Sequence, residues 1–235
     1  MFPTLMSKTF FILFLSLTLC YLGAQIVIYY YRMAYKKGAA EITARLNNDG
    51  EEDLLIEDSH LRIIFWPALI INILSFILLM VTRNSFPLNM ISMGLFTFTD
   101  GVTLGLVLMS INENLGVKVA WLTALITLFT GTIGLYSHID FAFMGNFLFW
   151  SLIALIIITF LRIFITINGF ARKLIALAGV LIFVGYLLYD FNNIIKIHKV
   201  ANLNNWNTAL DCSVDIYLDI INLFLQLLDL LSDHN

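Results

Sequence analysis

The sequence predicts an all-α membrane protein, a seven-transmembrane-helix bundle forming a single domain over residues 1–235. Three observations carry that expectation. Sixty per cent of the 235 residues are hydrophobic and only twelve per cent are charged, far from soluble composition. Several apolar runs exceed the ~18 residues that mark a spanning helix, and they lack the short alternation of barrel strands. The last such stretch, Asn207 to Leu231, gathers nearly all its polar side chains on one face. A net charge of −3 gives no reason to expect a nucleic-acid partner. The partner that composition implies is the lipid bilayer.

Segment one covers residues 9–31, after Lys8. A cation followed by an apolar core resembles a signal peptide. The run continues past that length to Arg32 with no small-x-small cleavage site, so a retained helix is expected. Residues 32–61 read as a polar loop, with Lys36, Lys37 and the acidic run EEDLLIED. Segment two is 62–82, with Pro67 one turn inside its start, where proline is tolerated. Segment three is 86–111 and holds Asp100 near its middle; Gly101 and Gly105 form a small-xxx-small face. Segment four is 117–136, segment five 141–165 and segment six 173–196, which carries Tyr189-Asp190. The seventh is 207–231. Cys20 and Cys212 sit inside apolar runs and are expected as free thiols. His60, His138, His198 and His234 fall in loops or at helix ends, where solvation is the simplest reading. Counting Lys and Arg places the first, third and fifth loops in the cytoplasm.

The seventh segment organises the rest. Asp211, Asp215, Asp219, Asn222, Gln226 and Asp229 fall within about 80° of arc at ~100° per residue. A carboxylate at the bilayer centre costs ~3 kcal/mol or more, so such residues normally face a bundle interior or a water-filled cavity. A helix lying in the interface is the bland alternative, but this face has no Lys or Arg for anionic lipid. Segments six and seven are joined by about ten residues and so run antiparallel. Counting ~1.5 Å per residue from the connection brings Asp190 to the depth of Asp219, with Asp215 one turn shallower and also within reach. Two carboxyls meeting in low dielectric cannot both ionise, and the pair tends to share a proton. Such a pair, Asp190 with Asp219, could also coordinate Ca²⁺, which takes oxygen ligands. No Cys/His cluster suggests zinc or copper, and the sequence calls for no cofactor. Arg83, directly after segment two, reads either as a boundary cation reaching headgroups or as a partner for an acid.

At these residues the chain resembles the Bax inhibitor-1 family, the transmembrane Bax-inhibitor-motif proteins. The likeness is strongest in Tyr217-Leu-Asp-Ile-Ile-Asn-Leu-Phe-Leu225 and Leu188-Tyr-Asp190. Phe86-Pro-Leu-Asn89 with Phe96-Thr97 and the run Gly134 to Leu148 support it, and it spans roughly 62–231. The resemblance implies a seven-helix bundle of the Bax-inhibitor type and a pH-sensitive calcium leak. It also implies a paired-aspartate sensor at Asp190 and Asp219, gating by Arg83, and suppression of cell death. It places such proteins in the endoplasmic reticulum or Golgi of eukaryotes and the plasma membrane of bacteria. It implies a cytosolic N-terminus, against the charge count. Asp100 stands where the family usually has Glu, and Asp211 and Asp215 make the stripe more acidic than is usual.

Two other readings stay open on the sequence alone. A membrane scaffold that transports nothing would use the stripe only for helix packing. An intramembrane aspartyl protease also needs two aspartates on neighbouring helices, and Tyr189-Asp190 resembles half of its signature. The other half, Gly-x-Gly-Asp, is replaced by Tyr217-Leu-Asp219, and no Pro-Ala-Leu segment follows. The expectation is therefore a protein that is not an enzyme. The sequence names no protein partner.

Overall fold

The computed structural model describes residues 2–39, 42–46, 52–111, 113–137, 139–162, 164–165 and 168–232. Seven long helices occur in order: α1 (Leu5–Lys36), α2 (Asp58–Thr82), α3 (Leu88–Ile111), α4 (Glu113–Tyr136), α5 (Gly145–Leu161), α6 (Gly169–His198) and α7 (Trp206–Leu231). One hairpin, β1 (Ile42–Leu46) and β2 (Glu52–Ile56), follows α1, so among the described residues the fold is all-α but for ten residues of strand. Six helices, all except α7, are long and apolar enough to cross a membrane. Packing divides the chain into two compact units, Lys8–Gly116 with Trp206–Asp211, and Met1–Ser7 with Val117–Asn205 and Cys212–Asn235.

In the first of these units, α1 runs beyond its expected end to Lys36, a cation in the last turn that suits the helix dipole. Gly38 stops it with φ +80°, a left-handed conformation open to glycine. Further back, Gly23 of α1 lies against Gly101 and the Phe98 carbonyl of α3, and Gly105 of α3 lies against Ala24 and Val27 of α1. A methyl on Gly101 would overlap the Cys20 carbonyl, and one on Gly105 would sit 2.9 Å from the Ala24 carbonyl oxygen. The backbones therefore meet at van der Waals contact, the use to which small residues are put in membrane helices. α2 packs along α3, and the Thr82 hydroxyl donates to Ser92 Oγ at 2.9 Å. The outer side of α2 shows Ile63, Trp66, Ile70, Leu74 and Val81, a surface suited to lipid.

The expected polar loop is a finding that differs. Residues 42–46 and 52–56 pair antiparallel, Ile42 opposite Ile56 and Ala44 opposite Leu54. Alternation in each strand puts Ile42, Leu54 and Ile56 on one side, and they pack with Val27, Tyr31, Leu106 and Met109 at the ends of α1 and α3. The charges hid a period of two that covers apolar surface. His60 lies edge-on to Tyr31 beside this cluster.

In the other unit, segment five divides. Asp140 accepts the Ala142 N–H at 2.8 Å and caps a 3-10 turn, Phe141–Met144, before α5, which ends at Leu161 rather than 165. α6 begins at Gly169, four residues before the expected Lys173, because Asn168 caps it by accepting the Ala171 N–H at 2.8 Å. Asn192 of α6 donates to the Gly134 and Ile139 carbonyls and accepts the Phe141 N–H. That side chain ties the α4–α5 link to α6. Gly179 of α6 takes the Gln226 side chain of α7 against its bare Cα. His198 ends α6; His138 and His234 lie outside the described residues.

Candidate functional site

α7 is buried along its apolar side, with Ile216, Tyr217 and Leu223 fully enclosed. Its polar stripe is turned elsewhere. Asp215, Asp219, Asn222, Gln226 and Asp229 all line one cavity of about 1180 Å³. Phe183, Tyr186 and Asp190 of α6 form a second wall, and apolar side chains of α5, from Leu152 to Phe160, form a third. One wall and part of another are polar; the third is apolar but for Thr159. Carbon-lined walls of this kind lower the local dielectric around the few oxygens present.

At mid-cavity the Asp190 and Asp219 side chains meet directly, carboxyl to carboxyl. Of the two partners that helix rise allows, Asp219 is the one in contact. Asp215, one turn away, still acts on Asp219 through its charge and is itself exposed to the cavity. Asp219 is 7% exposed, and its Oδ2 is buried with no hydrogen-bond partner among the described residues. Gln226 Oε1, two turns along the same face, is also buried and without a partner among them. Unpartnered buried oxygens are costly and rare in folded proteins. The Asp219 oxygen, beside the Asp190 carboxyl, is one that a proton, a water hydrogen or a cation can satisfy; the Gln226 oxygen packs against Gly179 of α6.

One end of the cavity is built differently. Asp229 Oδ2 accepts from Arg162 Nη1 at 3.0 Å and Asp229 Oδ1 from Arg172 Nε at 2.8 Å. Arg162 caps the C-terminus of α5, and Arg172 stands in the first turn of α6. Sequence reasoning puts Asp229 on the stripe but uses both arginines only in the count of Lys and Arg that sets sidedness. The signal is there: the end of α7 must return to the level where α5 ends and α6 begins.

The remaining residues singled out in the sequence are not part of this cavity. Asp211 accepts from Arg83 Nε at 2.7 Å, and the two side chains are 31% and 55% exposed. Both belong to the unit containing α2 and α3. There the α2–α3 turn holds the first turn of α7: Asn89 donates to Asn207 Oδ1 at 2.9 Å, and Phe86 stacks on Trp206. Asp100 lies on α3 of the same unit, 3.5 Å from Asn72 Nδ2. The stripe of six therefore serves two purposes, Asp211 for an ion pair and the other five for the cavity.

Among the described residues no group of three or more His, Cys, Asp or Glu is placed to hold a metal ion. Asp190 and Asp219 alone offer two carboxyls where Ca²⁺ takes six to eight oxygens. As a resident calcium site the pair is short of ligands.

Known proteins share this chain's pattern along most of its length. Residues 3–235 match the family described as inhibitor of apoptosis-promoting Bax1. The protein LIFEGUARD 1 of Arabidopsis thaliana is 28% identical over 174 residues, covering 72% of this chain and 71% of that protein. LIFEGUARD 2 of the same plant is 32% identical over 149 residues, 62% of this chain and 59% of its own length. The Golgi anti-apoptotic protein of Vaccinia virus (strain Lister) is 33% identical over 153 residues, 65% of this chain and 62% of that protein. With a match across nearly its whole length and six helices apolar enough to span a bilayer, the chain is a multi-pass membrane protein belonging to the Bax inhibitor-1/LIFEGUARD family.

Proposed function

We propose that the chain is a pH-sensitive cation leak, with Ca²⁺ as its principal substrate, and that α7 is a seventh membrane span. The observation that supports this reading best is the buried Asp190–Asp219 contact inside a cavity whose α7 wall is oxygen from Asp215 to Asp229. Two facing carboxyls in a low-dielectric space share one proton at neutral pH, which joins α6 to α7. Loss of that proton leaves two like charges that repel unless a cation bridges them. A second proton leaves two neutral acids with a weaker bond. Either change alters the helix contact, so conductance follows the macroscopic steps of the pair. A passing, partly hydrated ion needs fewer protein ligands than a resident one. Asp215, Asn222 and Gln226 offer oxygens in series along its route. Arg83 with Asp211, and Asp100 on α3, are further charged positions that modulate the path, Arg83 as a gating partner.

The names of the relatives support a role in restraining cell death, and one of them names the Golgi; calcium homeostasis at such an endomembrane is the route by which the leak reading connects to that role. They equally favour a second reading, a scaffold that regulates cell death without transport. Nothing about the cavity favours a protease: Leu218, directly before Asp219, lines the cavity there, where a protease needs room for substrate backbone. Ca²⁺ uptake into vesicles containing purified protein, measured across pH, decides between leak and scaffold. The leak reading expects flux in the wild type, a flattened pH response in Asp219→Asn and Asp190→Asn, and little further change in the double variant. Asp215→Asn should keep a pH response, because it leaves the Asp190–Asp219 contact in place and removes only a neighbouring charge. Absence of flux at every pH, or wild-type profiles in both single variants, defeats it.

A further inference from the structure

The polar wall of the cavity ends at a cluster with the opposite sign of charge. Asp229, about 15 Å along α7 from Asp219 on helical rise, is held by Arg162 and Arg172 at 3.0 and 2.8 Å. Two guanidiniums and one carboxylate leave that end net positive. Arg162 and Asp229 are only 18% and 20% exposed and Arg172 is 39% exposed, so bulk water screens the Arg162–Asp229 bond least. Gln226, with its unpartnered buried oxygen, lies between this cluster and the acidic pair. We propose that Arg162 and Arg172 form an electrostatic plug that limits cation passage through this end of the cavity, with Asp229 setting its strength. The proposal rests on the reading of the stripe as a cation path. It adds the residues that determine charge selectivity and locates the barrier away from the aspartate pair.

A plug and a simple structural tie make different predictions, because the same bridge can be broken from either side. Removing an arginine (Arg162→Gln or Arg172→Gln) brings the cluster to neutrality, and removing both makes it net negative. Removing the acid (Asp229→Asn) leaves two unopposed guanidiniums and raises the barrier. All of these break the Asp229 bridge and loosen the same contact between α7 and the α5–α6 link. Only the sign of the charge change differs. The test is Ca²⁺ uptake at neutral pH into phosphatidylcholine vesicles, a neutral lipid that adds no surface field, using an entrapped fluorescent indicator. Melting temperature in detergent is followed for each variant.

The plug predicts the order double arginine variant, single arginine variants, wild type, Asp229→Asn, with about tenfold in flux per unit charge for a divalent ion. Either single arginine variant makes the same charge change, so one that folds poorly is replaced by the other. Faster flux in both Asp229→Asn and the arginine variants identifies a structural tie and overturns the plug. Aspartate-dependent flux that all these variants leave unchanged overturns the plug and keeps the cation path. A wild type without flux at any pH removes both; a wild type that is silent at neutral pH but conducts at another pH, with neutral-pH flux appearing when the arginines are removed, upholds both.

Discussion

Asp219 and Asp229 stand on one face of one helix and line one cavity, yet the protein satisfies them in opposite ways. Asp229 is given two guanidiniums, whereas Asp219 is given another carboxyl and a buried oxygen with no donor among the described residues. The difference is one of depth. Asp229 is in the last turn of α7, level with the end of α5 and the start of α6, where helix ends and link residues carry arginines at little cost. Asp219 lies in mid-helix, where every neighbour comes from a long apolar run and a buried cation would cost as much as the acid it neutralised. An acid left without a cation at that depth has only protons and passing ions to answer it. That arrangement is poor for stability and suited to a switch.

The sharpest way to break this comparison is to make one substitution at both places. Asp229→Asn removes two charge-assisted bonds in a partly exposed cluster and should destabilise the protein by about 1–2 kcal/mol. Asp219→Asn should not destabilise it, because the amide can donate N–H to Asp190 without needing a shared proton. Its advantage over wild type should grow as pH rises and the wild-type pair loses that proton. Thermal melts in detergent at several pH values read both effects. Equal losses for the two variants would mean that Asp219, like Asp229, is structural, and the contrast would disappear.

Arg83 and Asp211 extend the comparison to the start of α7. This pair is as short as the Asp229 bonds, at 2.7 Å, but its arginine is more than half exposed. Exposed pairs contribute roughly 0.2–1 kcal/mol, so Arg83→Ala and Asp211→Asn should each lower stability by less than Asp229→Asn. If Arg83 gates the path, Arg83→Ala changes resting Ca²⁺ leak far more than it changes melting temperature. A variant with wild-type leak and a small stability loss makes the pair a simple tie.

Much of this architecture is legible in the residues themselves. Seven helices follow from seven apolar runs, and a short link with a constant rise per residue brings Asp190 level with Asp219 or Asp215 without choosing between them. The hairpin is not legible, because strands of five residues carry too little alternation to stand out against EEDLLIED. Asp100 illustrates a second limit. Its sequence position puts it in mid-helix, but which neighbour it turns toward depends on how α3 packs, here on α2 at Asn72. The roles of Arg162 and Arg172 stay hidden for a third reason. Cations at helix ends are so common that a specific pairing is visible only once the α5–α6 link is fixed, and α5 ends four residues earlier than its apolar run suggests.

The smallest expected effect comes from the ion pair outside the spans. Lys196 donates to Asp140, which also accepts the Ala142 N–H at 2.8 Å; these bonds hold the Asp140 carboxyl below its ordinary value of 3.8. A carboxyl depressed on folding contributes stability above its unfolded value, and loses that contribution as pH falls through the folded one. The contribution is therefore constant across about pH 5 to 8 and disappears only in acid. Both side chains are exposed, Asp140 by 69%, so salt should weaken the pair further. Lys196→Gln should move Asp140 titration back toward its ordinary range, as read by carboxyl NMR shifts, and leave the neutral-pH leak profile unchanged. Asp190 and Asp219 should then account for all the pH response near neutrality. A leak profile that shifts in Lys196→Gln would place part of the sensor at the α4–α5 link, and the buried pair could no longer be its sole source.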